Sequence, residues 1–165
     1  MLEFDNLKVD SYQRSIAMFL ELKETEQIIP TPEREQWFTD PYVQDYLVLR
    51  AQPDPDEDGQ TLTNFRRYYE IYNDGRHVGD IKIFYANEED IFKRRAQILM
   101  VVGERNNGIG TNAIKLLLQK IKGVYQSVYC QVLRSNIASL KILKRNGFQV
   151  DRMDGDKLEL SHELG

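Results

Sequence analysis

The chain has 165 residues, of which 41% are hydrophobic and 29% charged, with a formal net charge of −4. This length suits one domain with a real core, and we expect a single domain over residues 1–165. The composition excludes a disordered or fibrous chain, and no apolar run approaches the ~20 residues that cross a membrane.

Cysteine and histidine usage argues against a metal site. Cys130 is the only cysteine, so neither an internal disulfide nor a cysteine-based metal site can form. The two histidines, His77 and His162, have no ligand-like spacing. The N-terminus lacks the basic and apolar regions of a signal peptide, and we therefore expect a cytoplasmic, metal-free protein.

Charge is distributed unevenly along the chain. Residues 105–150 contain eight basic residues and no acidic one, whereas the remainder carries 14 basic and 26 acidic residues. A chance shift in composition is one explanation. The functional one is that one half binds a polyanionic ligand while the other attracts a cation. The acidic remainder would repel a long polyanion, which disfavours nucleic acid as a partner.

The N-terminal third predicts a strand over residues 2–9 and an amphipathic helix from Asp10 or Ser11 to about Glu26. The apolar positions of this helix are Tyr12, Ile16, Phe19 and Leu20. A second helix begins at Thr31-Pro32-Glu33, and Asp40-Pro41 repeats that signal. Within it, Trp37 and Phe38 are expected to pack on the core rather than contact substrate.

Antiparallel strands are predicted next. Residues 46–51 read as a strand, and the acidic loop 52–60 either is simply solvated or guides a cationic substrate. Strands over 65–72 and 77–85 flank the hairpin turn Asn73-Asp74-Gly75-Arg76, and Gly79 indicates a bulge or a close backbone approach. A turn at 87–90 precedes a strand over 92–102.

The chain is organised around a buried strand, a glycine loop and a helix. The loop contains Asn106, Asn107, Gly108 and Gly110, and a helix follows to about Lys122. Its apolar positions are Ile114, Leu117, Leu118 and Ile121. Unpaired N–H groups and the dipole at a helix N-terminus favour anions, so we predict that this loop binds a phosphate or pyrophosphate.

The C-terminal part completes one mixed sheet. A strand over 127–133 follows the helix, and a right-handed crossover makes it parallel to the strand before the loop. Asn136 caps a helix that runs to about Asn146. A final hairpin over 148–153 and 157–162 turns at Asp154-Gly155. The fold class is therefore α/β (α+β mixed sheet), antiparallel at its start and parallel at the loop.

Two motifs overlap in the glycine loop. Residues 108–113 match the dinucleotide pattern G-x-G-x-x-G/A, but antiparallel strands precede them and no acidic residue follows before Asp151. Arg105-x-x-Gly108-x-Gly110 instead resembles the Q/R-x-x-G-x-G/A loop of the GNAT superfamily of acyl-CoA-dependent N-acyltransferases. Residues 132–148 are similar to its V-x-x-x-N-x-x-A/S…K-x-x-G-F segment, closest to the ribosomal-protein N-terminal acetyltransferase branch.

The resemblance implies a GNAT-like fold with acetyl-CoA (coenzyme A) as cofactor. Its parallel strands would be splayed at the cofactor site. Val101 falls where the family has a β-bulge, whose unpaired N–H would polarise the acetyl carbonyl. The residues implied to bind the cofactor are Met100, Val101, Val102, Arg105, Asn106, Asn107, Gly108, Ile109, Gly110, Thr111, Asn136, Ser139 and Lys144.

The sequence departs from the family pattern at two catalytic positions. Leu143 stands where many relatives have a tyrosine that acts as general acid, and Gln97 stands where some have a catalytic glutamate. Ser139 either stabilises the leaving thiolate or packs the helix. The catalytic set implied is Val101, Ser139 and a base. Glu70 is our choice for the base, and Asp80, His77 and Tyr129 are the alternatives.

The predicted reaction is direct transfer of an acetyl group from acetyl-CoA to a primary amine, in a ternary complex. The amine is a small cationic molecule or a protein N-terminus. The alternatives are a non-catalytic acyl-CoA-binding or sensory domain and, third, a dinucleotide-binding enzyme. Cys130 is expected to be a buried structural residue rather than a nucleophile. No membrane partner is expected, and aromatics such as Tyr42, Tyr46 and Phe92 allow either a monomer or a homodimer.

Overall fold

The computed structural model describes residues 19–39, 66–104 and 108–165, which form one seven-stranded sheet and four helices. The strands are β1 (Leu20–Thr25), β2 (Arg67–Asn73), β3 (Arg76–Phe84), β4 (Arg95–Val102), β5 (Ser127–Leu133), β6 (Gln149–Asp154) and β7 (Lys157–Glu163). The helices are α1 (Pro32–Thr39), α2 (Glu88–Lys93), α3 (Ile109–Ile121) and α4 (Ile137–Arg145).

The sheet is mixed, as predicted. Its order is β1-β2-β3-β4-β5-β7-β6, and every neighbouring pair is antiparallel except β4 with β5. The parallel pairing covers only three residue pairs and ends at Gln97↔Tyr129. Beyond that point β4 and β5 separate, as the predicted splayed pair requires.

The two faces of the sheet carry different elements, because successive side chains of a strand point to opposite sides. Met100 lines a pocket with Ile114 of α3. Its neighbour Val101 therefore points the other way, and so does its partner Asp80, which bonds Arg34 of α1. We call these the α3 face and the α1 face.

The main core lies on the α3 face. Three apolar positions predicted for the helix after the loop, Ile114, Leu117 and Ile121, are buried against the sheet. The largest fully buried side chains are Ile71, Ile81, Ile83, Ile109, Ile114, Leu117, Ile121, Leu160, Val128 and Val132. Such burial contributes about 1.5–3 kcal/mol for each side chain of this size.

The predicted first helix is wrong at its C-terminal end. Leu20–Thr25 is β1, which pairs with β2. Leu20 and Leu22 are buried while Glu21 and Lys23 are exposed, so the segment follows the two-residue period of a strand. Backbone pairing with β2, a contact distant in sequence, overrides the local helical spacing. Phe19, a predicted apolar position of that helix, is 52% exposed.

The turn predicted at residues 87–90 is instead the start of a helix. Asn87 caps α2, with its side-chain oxygen accepting from the Asp90 amide at 2.9 Å. Phe92, predicted to begin a strand, lies on α2 and is 89% exposed. The following strand therefore begins at Arg95 rather than Phe92.

The other described elements agree with the sequence predictions. The Thr31 hydroxyl accepts a hydrogen bond from the Arg34 amide at the start of α1. Asn136 caps α4, and both predicted hairpins form. The predictions for residues 2–9, 40–41, 46–51 and 52–60 lie outside the described residues. No described helix is both long and apolar enough to cross a membrane.

Gly79 lies at a bulge, as predicted. The register of β2 and β3 shifts between Ile71 and Tyr72, so Val78 is the extra residue of β3. A Cβ at Gly79 would lie 2.4 Å from the Val101 carbonyl oxygen. Glycine therefore permits the close approach of β3 to the end of β4.

Gly79→Ala should lower the free energy of unfolding by about 3 kcal/mol, because the added Cβ meets backbone that cannot easily move. Gly75→Ala is the control, since Gly75 has φ +76° and open space around it. Its cost, about 1 kcal/mol, is backbone strain alone. Urea denaturation of both variants measures the difference, and equal losses would contradict the close approach at Gly79.

Candidate active site

The end of β4 borders a gap in the sheet. Gly103 donates its amide to the Val78 carbonyl at 2.7 Å. Alternate amides of an antiparallel strand face the same neighbour, so the amide of Val101 also faces β3. Those of Met100 and Val102 face the gap where β5 has diverged. These two amides can donate to a ligand in the gap.

The bulge predicted at Val101 is wrong. The register of β3 and β4 runs without a shift from Gly79↔Val102 to Phe84↔Gln97. The bulge lies one strand away, in β3. The splay of β4 and β5 leaves amides unpaired without a bulge in β4, so the donors beside the gap belong to the residues on either side of Val101.

The N-terminus of α3 lies just after this strand and suits an anion. Gly108 adopts φ 71° at the cap position, and no side chain there caps the helix. The first turn contains no acidic residue, so its backbone N–H groups and the helix dipole are not neutralised locally. Gly108 and Gly110 are placed as predicted, whereas Arg105, Asn106 and Asn107 lie outside the described residues.

Gly110 lets the first turn of α3 approach α4 closely. A Cβ at Gly110 would lie 2.6 Å from the Ile142 Cδ1 and 3.5 Å from the Met100 Cε. The side-chain Nδ2 of Asn146 donates to the Thr111 carbonyl at 3.1 Å and to the Ile142 carbonyl at 2.9 Å. These contacts hold the N-terminal end of α3 beside the gap.

A small pocket of about 40 Å³ opens on the α3 face of the gap. Its lining residues are Ile98, Met100, Ile114, Cys130, Val132, Ser139, Ile142 and Leu143. Ser139 is therefore placed at the gap and contributes the only hydroxyl among the described lining residues. Leu143, at the usual tyrosine position, is buried and apolar and cannot supply a proton.

Two other residues of the predicted set lie on or beside α4. Asn136 is buried and accepts from the Ser139 amide at 3.1 Å, so its side chain positions the helix that carries Ser139. Lys144 is exposed on the same helix. The described basic residues of the acid-free stretch are likewise exposed, namely Lys115, Lys120, Lys122, Arg134, Lys141, Lys144 and Arg145.

Cys130 has the properties of a structural thiol. It lines the pocket but is only 7% exposed, and burial raises the pKa of its thiol to about 12. A thiol with this pKa is almost entirely protonated at neutral pH and is a poor nucleophile.

Tyr129 does not serve as a base. Its hydroxyl donates to the Asp90 carboxylate at 2.7 Å. Burial, followed by this hydrogen bond, raises the pKa of Tyr129 far above its ordinary value. Gln97, at the glutamate position of some relatives, is also buried, and its Nε2 has no hydrogen-bond partner among the described residues.

The other three candidate bases come together on the α1 face. Oxygens of Glu70 and Asp80 and a ring nitrogen of His77 all lie within 4.8 Å of one another. Arg34 donates to both carboxylates, at 2.8 Å to each Asp80 oxygen and at 2.7 Å to Glu70. A guanidinium therefore takes the place that a cation would otherwise fill between these carboxylates. We call these four residues the Arg34 cluster.

Arg34 is only 3% exposed and depends on its partners. The hydrogen bonds that it donates, first to Asp80 and then to Glu70, raise the pKa of its guanidinium, although burial opposes them. Glu70 is committed on both oxygens, since its Oε1 also accepts from the Tyr72 hydroxyl at 3.2 Å. Glu70, our choice from sequence, is thus held as an ion-pair partner.

His77 is positioned differently. Its Nε2 lies 2.9 Å from the Asp80 Oδ1. The ring stacks on Tyr72, with centroids 5.3 Å apart, and packs edge-on against Trp37 at 4.9 Å. Trp37, predicted to be a packing residue, thus also shapes this site. Arg34 was not identified from sequence. Its partners are distant in sequence, and nothing in the local pattern of a short polar helix indicates which residues an arginine there will contact.

A family model described as "Acetyltransferase (GNAT) domain" matches residues 28–149. Among solved structures, the N-acetyltransferase PseH of Campylobacter jejuni in complex with acetyl coenzyme A is 15% identical, with a TM-score of 0.59, over 88% of this chain and 99% of that one. An aminoglycoside N(6′)acetyltransferase from Legionella pneumophila is 11% identical, with a TM-score of 0.63, over 88% and 92%.

RimJ of Mycobacterium smegmatis, in complex with CoA-disulfide, is 22% identical with a TM-score of 0.50 and covers 60% of this chain and 53% of that one. No curated protein matches the chain in sequence. These structures share the fold predicted from the glycine loop and the N-x-x-A/S segment.

The chain belongs to the GNAT acetyltransferase family. Acetyl-CoA is its cofactor, and the open strand edge, the uncapped α3 N-terminus and the adjoining pocket fit that group. The dinucleotide interpretation of residues 108–113 is wrong, because β3 and β4 are antiparallel and no parallel doubly wound sheet surrounds the motif.

Arg34→Met should lower the free energy of unfolding by about 3–5 kcal/mol, because it leaves two carboxylates without their buried partner. Arg67→Met is the matched control. Arg67 pairs with Glu24, and their side chains are 33% and 51% exposed. That loss should stay below about 1 kcal/mol. Urea denaturation measures both, and similar losses would contradict the buried role of Arg34.

Alkylation of Cys130 by iodoacetamide at pH 8 should be about 10³-fold slower in the folded protein than in guanidinium, as its pKa of about 12 implies. Because burial favours the neutral thiol, it adds to the free energy of unfolding. This contribution is complete below the pKa of the thiol in the unfolded chain and is lost as the pH rises through its pKa in the folded protein. Cys130→Ala should show no labelling. Equal rates in both states would contradict burial of the thiol.

Proposed function

We propose that the protein transfers the acetyl group of acetyl-CoA to a primary amine, either a small cationic molecule or a protein N-terminus. The divergence of β4 and β5 after Gln97↔Tyr129 carries this proposal. It leaves the Met100 and Val102 amides facing a gap that adjoins an anion-binding helix end. We further propose that neither nucleic acid nor a membrane is a partner, and that the protein acts as a monomer or a homodimer.

Each part of the gap has a role in this proposal. The α3 first turn, with Gly108, Ile109, Gly110 and Thr111, binds the pyrophosphate, together with the loop residues Arg105, Asn106 and Asn107. The Met100 and Val102 amides bind the pantetheine arm as a neighbouring strand would. When bound, the cofactor supplies a thioester carbonyl that develops negative charge on attack, and preorganised amides stabilise such charge.

Ser139 is the proposed donor to the departing thiolate. Its hydroxyl lines the pocket, and Asn136 fixes the first turn of the helix that carries it. Lys144, on the same helix, is proposed to meet the cofactor phosphates. A role of Ser139 in helix packing alone is the competing explanation, and mutation separates the two.

The acceptor divides into two classes. The likeness to an aminoglycoside acetyltransferase favours a small polyamine, whereas the likeness to RimJ and the sequence pattern favour a protein N-terminus. The acidic balance of the chain outside residues 105–150 supports a cationic acceptor of either class. An absence of transfer to both would support the acyl-CoA-binding domain, which the buried Leu143 favours.

Incubation with acetyl-CoA should release free thiol in the presence of a polyamine, an aminoglycoside or an N-terminal peptide. Ser139→Ala should lower kcat about 10²-fold while the Kd for coenzyme A changes little, because loss of an acid affects the chemical step. Ser161→Ala on β7 is the matched control and should leave kcat unchanged. Calorimetry should detect coenzyme A binding and no NAD binding.

One result would contradict this function, and another would contradict only the role of Ser139. Coenzyme A binding without thiol release for any acceptor class would indicate a binding domain. An unchanged kcat in Ser139→Ala would leave acetyl transfer intact but remove Ser139 from it.

A further inference from the structure

We infer that Nδ1 of His77 accepts the proton of the incoming ammonium group, with Asp80 as a positioning residue that orients the ring. This inference rests on the proposed function. It identifies a general base for the reaction, a role that Gln97, at the glutamate position of some relatives, cannot fill. The substrate class it implies is a protonated primary amine that arrives at the α1 face.

The contact with Asp80 determines which ring nitrogen is available. A carboxylate only accepts hydrogen bonds, so the Nε2 that lies 2.9 Å from the Asp80 Oδ1 carries the proton. Nδ1 of the neutral ring then carries the lone pair. In the described part of the chain, Nδ1 has no hydrogen-bond partner. The ring thus presents one acceptor atom that the described residues leave without a partner.

The aromatic neighbours limit how the ring can move. Tyr72 stacks on one side and Trp37 packs edge-on, so the ring is held in one orientation. The His77 side chain remains 12% exposed, which gives a ligand or a single water a route to it. A base held in this way loses little entropy when substrate binds.

The two carboxylates of the Arg34 cluster are less suited than His77 to accept the proton of the amine. Both Asp80 oxygens accept from Arg34, and Oδ1 also faces His77. Glu70 is bonded by Arg34 and Tyr72. Each carboxylate therefore already accepts hydrogen bonds, whereas Nδ1 of His77 accepts none from the described residues.

The location of His77 matches the geometry of a ternary complex. Asp80 aligns with Val101, whose neighbours supply the amides of the gap. Ser139 and the α3 N-terminus lie on the α3 face, so the cofactor occupies that side. The amine then approaches from the α1 face, where the Arg34 cluster lies on the far side of β4 from the gap.

Charged groups of both signs lie around His77. Besides Asp80, the Glu70 Oε2 lies 3.8 Å from Nε2. Arg34 from α1 opposes these two carboxylates, and Lys23 of β1 lies over the Tyr72 ring at 4.5 Å. At the turn, Arg76 pairs with Glu104 at 3.1 Å, which balances its charge.

The proton balance is complete. An alkylammonium with a pKa near ~10 is mostly protonated at pH 7. Its proton moves to His77 Nδ1, and the released amine uses its lone pair to form the C–N bond. The C–S bond breaks with its electron pair on sulfur, and the thiolate takes a proton from the Ser139 hydroxyl, which regains one from the second proton that the nitrogen loses. The imidazolium proton leaves to solvent, so one proton is released in each turnover.

Nitrogen-15 NMR of histidine-labelled protein tests the tautomer without any cofactor or activity. His77 should show a protonated Nε2 and an unprotonated Nδ1. His162 should show the reverse, because its Nδ1 lies 3.2 Å from the Gly147 carbonyl, which only accepts. Asp80→Asn should abolish the strong preference at His77 only. A protonated Nδ1 in neutral His77 would overturn the inference.

Kinetics with an accepted amine test the role. His77→Gln should lower kcat about 10²-fold at pH 7, and this deficit should shrink toward pH 10, where the amine is already unprotonated. The acidic limb of the kcat/KM profile should disappear as well. His162→Gln is the matched control and should leave both features unchanged. A structural role for His77 would give a deficit independent of pH.

The outcomes separate the two proposals. If the unmodified protein acetylates an amine and His77→Gln keeps its rate and profile, only the role of His77 is overturned. If the unmodified protein acetylates no amine, the proposed function fails, and the role of His77 fails with it. Retained coenzyme A binding by His77→Gln confirms that the variant is folded in either case.

Discussion

The separation of two parallel strands is the constraint on which the rest of this structure depends. β4 and β5 hydrogen-bond over three residue pairs and then diverge. Backbone amides that a sheet would normally pair are left facing a gap, which would be costly without a partner. A ligand with an extended, amide-bearing arm is of the kind that could pair with them. The close approach of α3 and α4 at Gly110 places an anion-binding helix end at the same gap.

The sheet then divides the chemistry between its faces. The α3 face holds an apolar pocket with one hydroxyl, the basic surface and the uncapped helix end. The α1 face holds the buried Arg34 cluster. One guanidinium partly neutralises the charge of two carboxylates, and Asp80 also orients the imidazole ring of His77. Strand alternation makes this possible, because neighbouring residues of β4 reach opposite faces.

Local patterns predicted most of the described fold. The hairpin turns, the caps at Thr31 and Asn136 and the amphipathic period of α3 are short-range signals, and each was found. The predictions failed where a contact between residues distant in sequence determined the local structure. Leu20–Thr25 became a strand because β2 pairs with it, and the bulge lies at Val78, where the pairing of β3 with β2 shifts, rather than at Val101 of β4.

By itself the sequence determined the glycine loop, the hairpins and the parallel step from β4 to β5, because these depend on backbone rules that act over a few residues. The family and its cofactor came from the resemblance of its motifs to those of the GNAT superfamily. Only the tertiary structure decided which polar groups meet. Arg34 is 46 positions from Asp80 and 36 from Glu70, and no local spacing links them. A buried ion pair requires that its partners be desolvated together, and this happens only when α1 packs onto the assembled sheet.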